Sequence, residues 1–155
     1  MNITLVCDVL GQANNGTTIA ALNLMEAMRR RGHRVRVVCP DEARRGQKDF
    51  YIVPVYNLGP FNGYVAKNGV SLGKPDEAVL RAALDGADVV HVMMPFILGR
   101  AALKIARAQG IPVTAGFHCQ AENVTSHLRM MDCRLANYLT YQFWYQQGAK
   151  RVVSA

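Results

Sequence analysis

Two short stretches carry residue types that could do chemistry. In the first, residues 113–123, a mostly apolar run from Val113 to Phe117 ends on His118, and polar residues follow. Histidine titrates near neutral pH and can donate or accept a hydrogen bond. His118 is therefore open to four roles: metal ligand, catalytic group, substrate contact, or simple strand-end residue. A metal site would need a third ligand, and Cys119, Glu122 and His127 offer no recognised spacing, so no metal is expected. A Cys119 nucleophile with a histidine base is disfavoured, because adjacent strand residues point apart. Glu122, four residues on, faces His118 if a helix starts promptly. The second stretch is Gly11-Gln12-Ala13-Asn14-Asn15-Gly16-Thr17-Thr18. It precedes a predicted helix, whose first N–H groups can hold an anion. Gly16 lets a phosphate or sugar approach the backbone, and Asn15 or Thr17 can cap the helix. It is neither G-x-G-x-x-G nor the Lys-bearing phosphate loop. A plain capped βα turn is the competing reading. His91 lies inside an apolar strand and reads as a core or strand-end histidine.

The elements that must position these residues alternate. Ile3–Cys7 reads as a strand, a helix runs from about Thr17 to Arg31, and Val35–Cys39 is a second strand. The helix ends on three arginines, which suit its negative end, and Gly32 follows. Residues 50–55 make a third strand despite Pro54, and residues 56–74 read as a long loop. A short helix through Ala78–Leu84 leads to the strand Asp88–Met93, whose almost unbroken apolar run suits a buried parallel strand. A helix with Leu98, Ala102, Ile105 and Ala106 on its apolar face ends at Gly110. Ile111–Phe117 is the fifth strand, residues 122–147 are helical, and Arg151 begins a sixth strand. This alternation implies an α/β, doubly wound, mainly parallel Rossmann-like sheet flanked by helices. In such sheets ligands bind beyond the carboxyl ends of the strands, where both stretches emerge.

At 155 residues and half apolar, the chain is one domain's worth. Cys7, Cys39, Cys119 and Cys133 are scattered, without a metal or disulfide framework. The first residues read as a strand with no basic leader, and no run is long enough to span a bilayer. A cytoplasmic location is the expectation. The net charge is +7. Between residues 29 and 48 eight Lys/Arg face only Asp41 and Glu42. Such a patch attracts polyanions, or is a solvated helix end and loop. It has no recognised nucleic-acid docking motif.

Several pieces together resemble the N-terminal domain of glycosyltransferase family 4, whose GT-B enzymes have two facing Rossmann-like domains. They are the N-N-G-T-T turn at 14–18, R-R-G-H-R-V at 30–35, D-V-V-H-V at 88–92 with Pro95, and G-I-P-V at 110–113 leading to Phe117-His118. Within the family the chain looks most similar to bacterial lipid glycosyltransferases. The resemblance implies retaining, metal-independent transfer from a nucleotide-sugar donor to a lipid or glycan acceptor, without a separate cofactor. It implies that Asn15, Gly16 and Thr17 lie near the phosphate or reacting sugar, and that His118 touches the donor sugar. The family turn is often Gly-Gly, and here only Gly16 is kept; a second family histidine is replaced by Met93. Residues 1–155 correspond to the acceptor-side domain alone, so the expectation is a second domain absent and no appreciable transfer by this chain by itself. The basic residues Arg30, Arg31, Arg44, Arg45 and Lys48, with Phe50, Tyr51, Tyr56, Phe61 and Tyr64, become candidates for peripheral contact with an anionic membrane and its lipid acceptor.

Two other readings are kept. One is an NAD(P)- or nucleotide-binding module of an oxidoreductase, with Asp41 meeting a ribose. The other is a non-catalytic membrane- or partner-binding remnant.

Overall fold

The computed structural model describes residues 1–8, 10, 16–57, 59, 72–94, 96–116 and 138–139. Five parallel strands form one sheet in the order β3-β2-β1-β4-β5. They are β1 (Asn2–Val6), β2 (Arg34–Cys39), β3 (Phe50–Ile52), β4 (Val89–Val92) and β5 (Val113–Ala115). The helices are α1 (Gly16–Arg30), α2 (Glu77–Leu84) and α3 (Ile97–Ala108), with a single 3₁₀ turn at Glu42–Arg44. Parallel register pairs Leu5 with Val37 on one side and with His91 on the other. The doubly wound expectation holds, and the reversal of strand order falls between β1 and β4.

Side chains alternate across the sheet, as the two-residue strand period requires. Ile3, Leu5, Cys7, Val35, Val37 and Cys39 face α1, meeting Ala21, Met25 and Met28. Val6, Val38, Val90 and Val92 face α2 and α3, meeting Leu80, Leu84, Leu98, Ala102 and Ala106. Burial on both faces explains why β1, β2 and β4 read as continuous apolar runs rather than alternating ones.

Two strands are shorter than the sequence suggests, both beside prolines. β3 ends at Ile52, because Pro54 has no N–H to continue the ladder. Val55 then turns to pair antiparallel with Gly73, bringing residues 72–74 back beside the sheet. β5 starts only at Val113, after Pro112, and Gly116 still donates to the Val92 carbonyl at 2.9 Å. The proposed helices at 122–147 and the sixth strand lie outside the described residues, apart from Tyr138 and Leu139, which are helical and exposed.

One buried cation ties the opposite edge. Arg36 on β2 is 9% exposed and donates from Nη1 to the carbonyl oxygens of Ala83, at 3.0 Å, and Asp85. Thr4 on β1 donates to the same Ala83 oxygen at 2.9 Å. These are the carbonyls a helix leaves unpaired at its C-terminus, where positive charge is favourable. The Arg36 Nε has no partner among the described residues.

Candidate functional site

The carboxyl edge of the sheet, over β1 and β4, is organised by Asp8. It follows β1 directly and is 1% exposed. Its Oδ1 accepts from the Leu98 amide at 2.9 Å and its Oδ2 from the Gly99 amide at 3.2 Å. Its own carbonyl accepts from Gly73 at 3.3 Å. The start of α3 is thus capped by a carboxylate from another strand, while its local cap residue, Phe96, makes no side-chain capping bond. Burial pushes the Asp8 carboxyl up from 3.8 to about 7, outweighing the amides of Leu98, Gly99 and Asp8 itself, which pull it down.

Two glycines allow this closeness. A Cβ on Gly99 would sit 2.3 Å from the Met94 carbonyl oxygen and 2.6 Å from Val92 Cγ1. A Cβ on Gly73 would sit 2.9 Å from Leu98 Cδ2 and 3.2 Å from Val53 Cγ2. The chain contains other glycines at ordinary turns, so nothing in the string marks these two. Asp8 was equally hidden: after a strand it reads as a terminator, and its partners are 90 and 91 residues away.

Of the turn residues, Gly16 and Thr17 open α1 at this same edge. Gly16 is exposed, and a Cβ there would meet nothing within 4 Å. The first turn of α1 contains no acidic side chain. Asn15, His118 and Glu122 lie outside the described residues. Thr114 and Ala115 are exposed on β5, two positions short of the segment that leads to His118. His91 is a strand residue whose Nδ1 lies 2.8 Å from the Thr114 hydroxyl on the neighbouring strand. Asp41 caps the 3₁₀ turn, accepting from the Ala43 amide at 3.2 Å and from Arg44 Nε at 3.0 Å. That engagement weakens its candidacy as a ribose contact. Among the described residues no group of three or more His, Cys, Asp or Glu side chains could hold a metal.

Half of the cations in the basic stretch at 29–48 are held in ion pairs, so the stretch is less open than its charge count alone suggests. Four of its eight cations are in ion pairs: Arg30 with Glu26, Arg34 with Asp49, Arg44 with Asp41 and Arg45 with Glu42. Arg29 donates to the Val35 carbonyl at 3.0 Å, and Arg36 is buried. Arg31 and Lys48 remain exposed without an ion pair among the described residues. Phe50 and Tyr51 pack against opposite core clusters, and Arg29 and Arg44 lie over the Phe50 ring at 5.9 and 5.1 Å. Neither ring is a protruding anchor. Phe61 and Tyr64 lie outside the described residues. By contrast, α3 has no acidic residue, and its Arg100, Lys104 and Arg107 are all exposed without ion pairs among the described residues. Their i, i+4, i+7 spacing places them on one stripe with Ile97, which is 45% exposed. The local composition of 97–108 contained this signal, but the denser run at 29–48 overshadowed it.

A doubly wound parallel sheet, with its strand order reversing between β1 and β4, defines a Rossmann-like domain. The model for Glycosyltransferase Family 4 matches residues 14–154, and the chain belongs to that family. It is 31% identical over 122 residues to a GDP-mannose-dependent alpha-mannosyltransferase of Mycolicibacterium smegmatis, covering 76% of this chain and 32% of that protein. It is 28% identical over 123 residues to a phosphatidyl-myo-inositol mannosyltransferase of Mycobacterium tuberculosis, covering 76% of this chain and 31% of that protein. The chain therefore spans about a third of the length of the relatives it matches. Among solved structures, a UDP-GlcNAc 2-epimerase from Neisseria meningitidis aligns with 99% of the chain and 43% of that structure. At 15% identity and a TM-score of 0.40 that likeness carries no weight. Among the described residues no helix is long and apolar enough to cross a membrane.

Proposed function

We propose that these residues form the acceptor-side domain of a retaining, metal-independent glycosyltransferase that moves a sugar from a nucleotide donor to a lipid acceptor. The observation that carries this reading is the family match over residues 14–154, which begins at the turn before α1. The relatives' names point to a mannose donor carried on GDP and an inositol phospholipid acceptor. Asn15, Gly16 and Thr17 would receive the phosphate or reacting sugar, with the open space over Gly16 supporting close approach. His118, with Glu122 behind it, would orient the donor sugar beside its anomeric carbon. On this reading the diphosphate contacts come from a facing domain, and residues 1–155 by themselves are expected to transfer no appreciable sugar.

Peripheral contact with an anionic membrane is better served by the α3 stripe than by the paired arginines at 29–48. Arg100, Lys104 and Arg107 supply charge without an ion pair among the described residues, and Ile97 supplies apolar area on the same face.

The test is amide-resolved titration of the full chain with GDP-mannose, with bicelles carrying phosphatidylinositol, and with NAD(H). The expected result is a response of Gly16 and Thr17 to GDP-mannose or to phosphatidylinositol, and none to NAD(H). Saturable NAD(H) binding at Gly16, with silence toward the other two, would establish the oxidoreductase reading instead. Robust turnover of GDP-mannose by these residues alone would overturn the assignment to the acceptor side.

A further inference from the structure

Asp8 joins three separate parts of the chain: the end of β1, the first turn of α3 and residues 72–74. The seat is tight. Gly99 has no room for a methyl group against Met94 and Val92, and Gly73 has none against Leu98 and Val53. The first turn of α3 can therefore move only by breaking its bonds to Asp8. Those bonds depend on charge. An ionised carboxylate offers acceptors to both amides, whereas a protonated one places an O–H on one of its oxygens. The amide at that oxygen then faces only the weaker acceptor of a hydroxyl oxygen, and its bond loosens.

The surroundings leave this choice to burial. From α3, Ile97, Leu98 and Gly99 carry no ionisable group, and Arg100 is exposed. From β4, Met93 and Met94 carry none. From the 72–74 segment, Lys74 is exposed. From the neighbouring strand ends, Cys7 is a buried thiol, and burial pushes Cys39 up to about 11, so it stays neutral. Among the described residues no cation pairs with Asp8. Burial moves its titration to about 7, where both forms are populated near neutrality.

We propose that Asp8 is a positioning residue acting as a pH-responsive latch: ionised, it seats the first turn of α3 against the end of β1, and protonated, it loosens one of the two amides. The edge between β1 and β4, where a ligand would lie, then has two local arrangements. The inference concerns the chain's own geometry and does not depend on which sugar or acceptor is used.

The experiment follows the full chain by NMR from pH 5 to 8.5, reading the Asp8 carboxyl carbon and the Leu98 and Gly99 amides. All three are expected to titrate together, with one midpoint near 7. After correction for intrinsic pH dependence, exchange of one of the two amides should speed up about tenfold on the acid side. The four histidines titrate in the same window, so Asp8→Asn is the control. It should abolish the response at Leu98 and Gly99 and leave the histidine responses in place. A carboxyl carbon that titrates below about pH 5, with both amides flat through neutrality, overturns the proposal. So does an amide titration that persists in Asp8→Asn. If that variant does not fold, the wild-type carboxyl carbon decides alone.

Discussion

Two helices begin at the carboxyl edge of this sheet, on its opposite faces, and the chain treats them differently. The amides that open α3 are occupied by Asp8, and Gly99 is pressed against the Met94 carbonyl. The first turn of α1 has no acid, and a Cβ on Gly16 would meet nothing within 4 Å among the described residues. A helix N-terminus favours negative charge wherever it comes from. At α3 that charge is internal and serves the fold. At α1 no acid of the helix's own first turn supplies it.

The comparison is most exposed at Gly99. In Gly99→Ala the new methyl meets a backbone oxygen that cannot swing away, so destabilisation of about 3 kcal/mol is expected in urea unfolding. A loss below about 1 kcal/mol would mean that α3 is not seated as described.

Asp8→Ala ranks next. It strands two buried amides, each costing about 1–3 kcal/mol. Its pH dependence has a definite sign. The folded-state value, about 7, lies above the ordinary 3.8. The native protein therefore holds this proton more tightly than the unfolded chain, and the associated stability is full below about pH 4 and lost as pH rises through 7. Asp8→Ala removes that slope, so its cost should be roughly 2–3 kcal/mol larger at pH 5 than at pH 8. An equal cost at both values would place the carboxyl's titration elsewhere.

Smaller effects separate surface from site. Replacing Arg100, Lys104 and Arg107 together by Gln should change stability by no more than about 1 kcal/mol. It should also remove the salt-sensitive part of binding to vesicles containing phosphatidylinositol, by roughly 1 kcal/mol per charge. Arg44→Gln and Arg45→Gln, which leave Asp41 and Glu42 without their partners, should weaken that binding by less than the triple change does. The reverse pattern would return the membrane face to residues 29–48. The smallest stability effect belongs to Gly16→Ala, within about 1 kcal/mol in either direction. Its informative readout is a weakened response to GDP-mannose or phosphatidylinositol at unchanged stability.

The periodicities of residues 3–39 and 88–108 were enough to order the strands and helices, because a sheet buried on both faces leaves long β-branched runs and a surface helix leaves an apolar stripe. The ends of β3 and β5 were less legible, because Pro54 and Pro112 break ladders only according to where the partner strand lies. The site divided in the same way. The start of α1 at Gly16 was legible from local residue types, one position from the expected Thr17. The fates of Arg36, Arg44 and Arg45 were not, since pairing and burial depend on what each arginine meets.

Sequence by itself determined the fold class and the family resemblance, both of which rest on local spacing and residue type. Only the tertiary structure decided that Asp8 is a cap rather than a strand terminator. Its partners lie some ninety residues away, and no local pattern records a contact made across the sheet edge. Only the structure showed which cations are neutralised, because a charge's effective field depends on the neighbours that folding brings to it.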